Sequence, residues 1–203
     1  MNNPPQERMV WNETLAKKLM TQWNDDPDGR HYYLLKHTAA FIPEECKEVL
    51  DVGCGFGDLW PFLEQKGFTP EQYCGIDPSR AMLSRARTRF PQLDFQQGDV
   101  FTQLPASAFD CVVSCSLLVH LWNKEKAIQH MWNHTRRCLV GNFVVGEFKS
   151  RTESRIGVDD ELIHHIPVVW VQEILNRLGG VEQIGWKTPD NVVYFFRVWR
   201  KCL

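Results

Sequence analysis

The sequence predicts a three-layer α/β fold in which helices cover both faces of a doubly wound, mostly parallel sheet. Short apolar runs alternate with amphipathic segments from residue 49 to residue 148, a glycine-rich turn follows the first run, and two apolar runs near the C-terminus are joined by the turn KTPD. Parallel strands need crossover connections, and right-handed crossovers place helices on both faces. The short final turn predicts a hairpin, with an antiparallel strand at the edge of the sheet.

Two helices are expected before the first strand. Asn12 is a suitable N-cap for a helix whose apolar residues recur at helical spacing, namely Leu15, Ala16, Leu19, Met20 and Trp23. The segment NDDPDG ends this helix, and a second one is expected over residues 30 to 41. The apolar segment KEVLDVG then predicts a buried strand, which begins the core of the fold.

From this strand onward, helices and strands alternate. Helices are expected over residues 57 to 65, over residues 79 to 90, and from Asn123 to about Arg137. The intervening strands are QYCGID, LDFQQGD, FDCVVSCS and GNFVVGEF. Four arginines of the second of these helices are expected on its solvated face: Arg80, Arg85, Arg87 and Arg89.

The C-terminal part differs in pattern. Residues 149 to 163 are polar, contain Gly157 and lack a steady apolar period, which favours a mobile lid. A helix follows and ends at Gly179-Gly180, and the strands VEQIGW and NVVYFFRVW complete the chain.

Composition narrows the function classes. A chain of 203 residues with 43% apolar residues suits one domain, and its net charge of −2 provides no overall positive field for nucleic acid or an anionic membrane. The seven cysteines are scattered without a C-x-x-C pair, as in a reduced protein. The N-terminus lacks an apolar signal core, and no window approaches a membrane span. We therefore expect a soluble, cytoplasmic protein.

The turn VLDVGCGFGD narrows the choice of ligand. A phosphate-binding P-loop needs Lys-Ser or Lys-Thr after its last glycine, whereas this turn continues Gly57-Asp58-Leu59. A dinucleotide fingerprint that starts at Gly53 needs glycine at position 58, where a carboxylate would also repel a pyrophosphate. The turn therefore favours a nucleoside ligand without phosphate.

Four ordered segments resemble the motifs of class I S-adenosylmethionine-dependent methyltransferases. They are VLDVGCGFGD, YCGIDPSRAMLSRAR, FQQGDV and FDCVVSCSLLVHL. The resemblance implies a Rossmann-like fold and a single methyltransferase domain over residues 1–203, with S-adenosylmethionine as cofactor and S-adenosylhomocysteine as product. Within it we expect an N-terminal helical cover (1–45), a cofactor-binding core (46–148) and an acceptor-side segment with the last helix and hairpin (149–203).

The resemblance implies contacts to the methionine portion of the cofactor from the ends of two strands. The backbone of the glycine turn would approach it closely, at Gly53, Cys54, Gly55 and Gly57. Asp51 would lie near the amino group, where a carboxylate complements the ammonium. Cys115 and Ser116 would contribute backbone contacts beside this tail.

For the nucleoside portion, the resemblance implies contacts from the second and third strands. Asp77 would accept hydrogen bonds from both ribose hydroxyls. Pro78 and Met82 would pack on the adenine, although Met82 also belongs to the apolar stripe of its helix. Asp99 would accept from the adenine amino group, while the amide of Val100 faces the ring nitrogen.

Methyl transfer from a sulfonium is a direct displacement, so the enzyme chiefly aligns the acceptor, the methyl group and the sulfur. Candidates for a base are His120, His164, Glu147 and Tyr33, and His165 is adjacent to one of them. His120 also suits a packed wall of the site. We expect a small-molecule acceptor recognised by residues 1 to 45 and 149 to 167.

Several alternatives remain open. The fold could serve as a non-catalytic scaffold, or the donor could be a modified sulfonium compound such as an aminopropyl donor. His130 and His134 have the spacing of a metal pair but lack an evident third ligand, which favours a surface pair without metal. Basic residues of the polar segment suit an anionic acceptor group or a solvated loop: Lys149, Arg151 and Arg155.

Overall fold

The computed structural model describes residues 13–25, 29–146, 152–156, 161–180, 182–189 and 192–200. The strands in these ranges are β1 (Val49–Val52), β2 (Tyr73–Asp77), β3 (Asp94–Gln97), β4 (Phe109–Ser114), β5 (Thr135–Gly146), β6 (Thr152–Ile156), β7 (Glu161–Pro167), β8 (Glu182–Lys187) and β9 (Val193–Trp199). The helices are α1 (Glu13–Asp25), α2 (Arg30–Phe41), α3 (Trp60–Gln65), α4 (Arg80–Arg89), α5 (Lys124–Asn133) and α6 (Val168–Asn176). Short 3-10 helices cover Pro70–Gln72 and Leu118–His120.

All these strands join one sheet whose centre is parallel. Its order begins β3-β2-β1-β4-β5, and every neighbouring pair in this run is parallel. The chain moves outward from β1 to β3 and then crosses to β4, so the strand order reverses between β1 and β4. Open α/β sheets bind ligands at the carboxyl ends of the strands beside such a switch point. The fold therefore places the glycine turn, which follows β1, at this position.

The far side of the sheet is antiparallel, as the sequence predicts. β9 pairs antiparallel with both β5 and β8. The closing hairpin is therefore confirmed, and the fold class is the expected one.

Two apolar layers cover the faces of the sheet because neighbouring strand residues point to opposite sides. Val49 and Val113 pack with α2, α3 and α4, whereas Leu50 and Val112 pack with α5 and α6. Two helices are capped at their N-termini, since Ser79 accepts from the amide of Met82 and Asn123 accepts from that of Lys126. Asn12 lies outside the described residues. None of the described helices is long and apolar enough to cross a membrane.

Two predicted boundaries are wrong. The first helix of the core begins at Trp60 and not at Gly57, because Gly57 still belongs to the turn and has a φ of 75°. Likewise, α5 ends at Asn133 and not near residue 137. Thr135 already pairs with Phe109 of β4, and this parallel pairing competes with further helical hydrogen bonds.

The segment predicted to be a mobile lid forms secondary structure where the structure describes it, and its role as a lid stays a prediction. Residues 152–156 and 161–167 form β6 and β7, an antiparallel hairpin in which Thr152 pairs with His165. β7 also pairs in parallel with the end of β5 at Val145. Strand pairing therefore organises a segment whose polar sequence lacks an apolar period. Its hairpin lies beside the carboxyl end of β5.

Candidate active site

The glycine turn folds over the end of β2. The amides of Gly53 and Cys54 both donate to the carbonyl of Ile76, at 2.8 and 3.0 Å. Three glycines of the turn have positive φ angles, with values of 76° at Gly53, 54° at Gly55 and 75° at Gly57. Because only glycine adopts such angles without steric cost, the sequence dictates this local shape.

The three glycines do not serve the same purpose. A Cβ atom at Gly55 would have no neighbour within 4 Å, so this backbone faces open space. A Cβ at Gly53 would lie 3.0 Å from Leu117, and one at Gly57 would lie 2.8 Å from the ring of Phe95. Close approach by a ligand is therefore supported at Gly55, whereas Gly57 is required by packing inside the protein.

Alanine at these two positions is expected to separate binding from folding. Gly57→Ala should reduce the free energy of unfolding by about 2–4 kcal/mol, because a strained φ adds to a clash with Phe95. Gly55→Ala should cost only about 1–2 kcal/mol of stability, but its methyl group would enter the open space and weaken ligand binding roughly tenfold. Urea denaturation and titration calorimetry measure the two effects. If the two variants lost the same affinity and the same stability, Gly55 and Gly57 would not have the separate roles assigned to them.

Asp77 ends β2 and connects it to the glycine turn. Its Oδ2 accepts from the amide of Gly55 at 3.1 Å, and its Oδ1 accepts from the amide of Ser79 at 2.8 Å. Burial raises the pKa of Asp77, and these two hydrogen bonds offset part of the rise. The carboxyl is thus fixed in one orientation beside the open face of Gly55, where the sequence places the ribose contact.

Asp51 lies in β1 and is only 2% exposed. The hydroxyl of Tyr73 donates to its Oδ2 at 2.8 Å. Burial raises the pKa of Asp51 to about 7; the hydrogen bond from Tyr73 opposes the rise, while the charges of Asp77 and Asp58 add to it. Within the described residues, neither Asp51 nor Asp77 forms a salt bridge. A positive group of a ligand would therefore be stabilised beside them.

Asp58, directly after the turn, has a structural role. Its Oδ1 accepts from Arg89 of α4, and its Oδ2 lies 3.2 Å from Nε2 of His31 in α2. Burial alone would raise the pKa of Asp58, but the hydrogen bond from His31 and the charge of Arg89 outweigh it and lower the pKa. Because Arg89 and His31 offset the charge of this carboxylate, Asp58 would repel a pyrophosphate less than the sequence predicts. The missing glycine at position 58 still departs from the dinucleotide fingerprint.

The arginines of α4 form the predicted solvated face only in part, since Arg80 and Arg87 are exposed whereas Arg85 and Arg89 are half-buried. Arg85 pairs with Glu13 of α1, and Arg87 donates to the carbonyl of Phe95. Together with the Arg89–Asp58 pair, these contacts attach α4 to α1, β3 and the glycine turn.

The side chains expected around the adenine follow β2 and β3. Pro78 is exposed, whereas Met82 is 3% exposed and packs with Phe56 and Ala16 of α1. Oδ1 of Asp99 accepts from the amide of Phe101 at 2.8 Å, so this carboxylate also holds its own loop. The carbonyl of Val100 lies 3.1 Å from Nδ1 of His130. Their contacts to an adenine stay predictions.

A buried polar cluster at the end of β4 is absent from the sequence prediction. Asn142 of β5 accepts from the amide of Ser116 and donates to the hydroxyl of Thr38 in α2, at 3.1 and 3.0 Å. The hydroxyl of Thr38 in turn donates to Sγ of Cys115 at 3.4 Å. A lone amide in the apolar strand GNFVVGEF was the sequence signal that could have identified Asn142.

The expected base candidates lie on separate elements. His120 ends the 3-10 helix after β4, and this helix packs against β7, the strand that contains His165. Tyr33 lies in α2, with its ring 4.0 Å from that of His37 between centroids. The pKa of His165 is lowered by burial and by the nearby charges of Lys124 and Arg30.

The other acceptor-side residues named above cannot be placed. Glu147, Lys149 and Arg151 lie outside the described residues, as do the side chains of His164 and Arg155.

The two histidines at the C-terminal end of α5, His130 in the helix and His134 directly after it, contact backbone oxygen atoms. Nδ1 of His130 lies against Val100, as above, and Nδ1 of His134 lies 2.8 Å from the carbonyl of His130. Both side chains are half-buried, so they are not the surface pair that the sequence favours. Among the described residues, no group of three or more histidines, cysteines and carboxylates could hold a metal ion.

Comparison with known proteins agrees with this geometry. Residues 49–138 match a family described as a methyltransferase domain. A phthiotriol/phenolphthiotriol dimycocerosates methyltransferase of Mycobacterium tuberculosis is 32% identical over 135 residues, which cover 64% of this chain and 45% of that protein. The chain thus spans less than half the length of this relative.

Two solved structures share the fold across nearly the whole chain. One is a methyltransferase of Thermotoga maritima described as a possible histamine N-methyltransferase, with a TM-score of 0.72, 15% identity, and coverage of 93% of this chain and 98% of that one. The other is the magnesium protoporphyrin IX methyltransferase of Synechocystis with bound S-adenosylmethionine, with a TM-score of 0.61, 18% identity, and coverage of 95% and 86%. The matched residues 49–138 contain the switch point of the same sheet, so this part of the chain is similar to a methyltransferase domain and the chain shares the fold of these methyltransferases.

Proposed function

We propose that this chain binds S-adenosylmethionine and transfers its methyl group to a small-molecule acceptor. The observation that carries the proposal is the pair of buried carboxylates, Asp51 and Asp77, the second of which accepts a hydrogen bond from the open backbone of Gly55. A phosphorylated ligand would be repelled by two carboxylates without cationic partners among the described residues. A ligand with an ammonium and a sulfonium group would be attracted, which favours this nucleoside over a nucleotide.

The two buried carboxylates are assigned to different portions of the cofactor. Asp77 is held by two backbone amides, so its remaining lone pairs are directed where a ribose diol could donate to them. Asp51, in the neighbouring strand, is the counterpart for the ammonium group. The residues after β4, Cys115 and Ser116, then border the tail on the opposite side of the switch point.

In the proposed mechanism the protein mainly positions the reactants, because the sulfonium is already an activated leaving group. The acceptor attacks the methyl carbon, the sulfur–carbon bond breaks, and S-adenosylhomocysteine leaves. An acceptor that carries a proton needs a base. His165 suits this role because its lowered pKa keeps the imidazole neutral near physiological pH, and His120 and Tyr33 are the other described candidates.

Acceptor recognition is assigned to the elements that surround the carboxyl edge without taking part in the cofactor contacts. They are α2, which contains Tyr33, and the β6–β7 hairpin, which contains His165. The known relatives carry different acceptors in their names, so the acceptor of this chain has to be identified by assay.

The proposal is tested by ligand binding followed by product analysis. S-adenosylhomocysteine is expected to raise the melting temperature, because a ligand that binds only the native state stabilises it. Incubation with S-adenosylmethionine and a panel of small metabolites should release S-adenosylhomocysteine. An acceptor identified in this way allows three variants to be assayed: His120→Gln, His165→Gln and Tyr33→Phe. Each should keep near-normal cofactor affinity. The variant that lacks the catalytic base should lose turnover. Absence of calorimetric binding at millimolar ligand, with NADH binding instead, would refute the proposal.

The same assay separates the alternatives. Binding without turnover across a broad panel would favour a scaffold. Mass spectrometry of the product would reveal an aminopropyl or other group in place of methyl if the donor were a modified sulfonium compound.

A further inference from the structure

Ser116 has a strained backbone in the turn after β4. Its φ is 59°, and among the described residues it is the one non-glycine residue with a positive φ. This conformation is costly for a residue with a side chain and persists only where the surroundings enforce it. A contact that selects this conformation should therefore be present nearby.

That contact is made by Asn142. Oδ1 of Asn142 accepts from the amide of Ser116 at 3.1 Å. A backbone amide can only donate, so the oxygen atom of the side chain must face Ser116, and the Nδ2 group is left to donate to Thr38 at 3.0 Å. The orientation of the amide is therefore determined by its two partners.

The cluster is buried although its effect is on a partly exposed turn. Asn142 is 2% exposed and Thr38 is 0% exposed, whereas Cys115 and Ser116 are half-buried. A buried amide in an apolar strand is unfavourable unless all its hydrogen bonds form. The neighbouring Gly141 has no room for a side chain, since a Cβ there would lie 2.9 Å from the ring of Phe196 and 3.1 Å from the carbonyl oxygen of Ser114.

We propose that Asn142 is a positioning residue for methyl transfer, which holds the Cys115–Ser116 turn in the shape that borders the cofactor tail. The effect on methyl transfer rests on the proposed function, whereas the hydrogen bonds of Asn142 do not depend on it. Thr38 of α2 takes part as well, because its hydroxyl accepts from the side-chain amide of Asn142. This hydrogen bond links α2 to the end of β4.

The test compares Asn142→Leu with Val140→Ala, a buried residue two positions earlier on the same face of β5. Both variants should lower the melting temperature. Asn142→Leu should also speed hydrogen exchange of residues 114–121 in the ligand-free protein and weaken S-adenosylhomocysteine binding about tenfold. Well below its melting temperature, Val140→Ala should leave the hydrogen exchange of residues 114–121 and the affinity for S-adenosylhomocysteine unchanged. Thr38→Val, which keeps its shape, should reproduce the effect at about threefold if Asn142→Leu fails to fold.

A double-mutant cycle with Ser116→Gly distinguishes positioning from a general structural role. Glycine adopts a positive φ without help, so the loss of affinity caused by Asn142→Leu should be smaller in the Ser116→Gly background. Equal losses in the two backgrounds, or unchanged exchange of residues 114–121, would overturn the proposal. If the wild-type protein does not bind S-adenosylhomocysteine, the proposed function fails, and the exchange measurement still decides whether Asn142 orders the turn.

Discussion

Asp77→Ala is expected to weaken S-adenosylhomocysteine binding by about 1.5–3 kcal/mol, or roughly 10- to 150-fold. The substitution removes the charge-assisted hydrogen bonds to the ribose. It also leaves the amides of Gly55 and Ser79 without their acceptor, so the glycine turn keeps only its backbone hydrogen bonds to Ile76 of β2. Titration calorimetry of the folded variant measures the effect directly.

The matched control is Asp94→Ala. Asp94 is an exposed acid at the start of β3, the strand next to β2, and therefore lies at the opposite edge of the sheet from the site. Its replacement changes net charge by the same amount and should leave affinity unchanged. Wild-type affinity in a folded Asp77→Ala variant would remove Asp77 from the binding site.

Lowering the pH from about 8 to about 6 should weaken binding of the same ligand roughly tenfold, because the pKa of Asp51 in the free protein is about 7. The ammonium of the ligand stays charged in this range, while the protonated carboxyl loses its attraction for it. Asp51→Asn should bind more weakly at pH 8 and should lose most of this dependence on pH. Calorimetry in a series of buffers tests both statements.

Stability should change in the opposite direction. The pKa of Asp51 is raised above its value in the unfolded chain, so its contribution to stability is present below about pH 4 and is lost as the pH rises through about 7. The ligand-free protein should therefore lose stability over the range in which affinity increases. An unchanged pH profile of binding in Asp51→Asn would assign the titration to another group, of which His165 is the first to replace.

Much of the fold follows from local pattern. The parallel strands, the N-caps at Ser79 and Asn123 and the final hairpin are each specified by a few adjacent residues, and the structure contains all of them. The placement of Asp51 in β1 and of Asp77 at the end of β2 follows as well. Helix boundaries depend on more than the local pattern: the positive φ of Gly57 keeps it in the turn before α3, and pairing of Thr135 with β4 ends α5.

The sequence by itself determined a mostly parallel sheet with a closing hairpin, and an acidic, glycine-rich turn that favours a sulfonium nucleoside. The tertiary structure decided what each residue of that turn does. Gly55 and Gly57 look alike in the motif, but a Cβ at Gly55 would meet nothing within 4 Å whereas a Cβ at Gly57 would lie 2.8 Å from the ring of Phe95. Asn142 and Thr38 meet across 104 positions of the chain, and Asp58 reaches Arg89 across 31. Such pairs carry no periodic signal, because their energy arises only when the packed helices and strands bring the two side chains together.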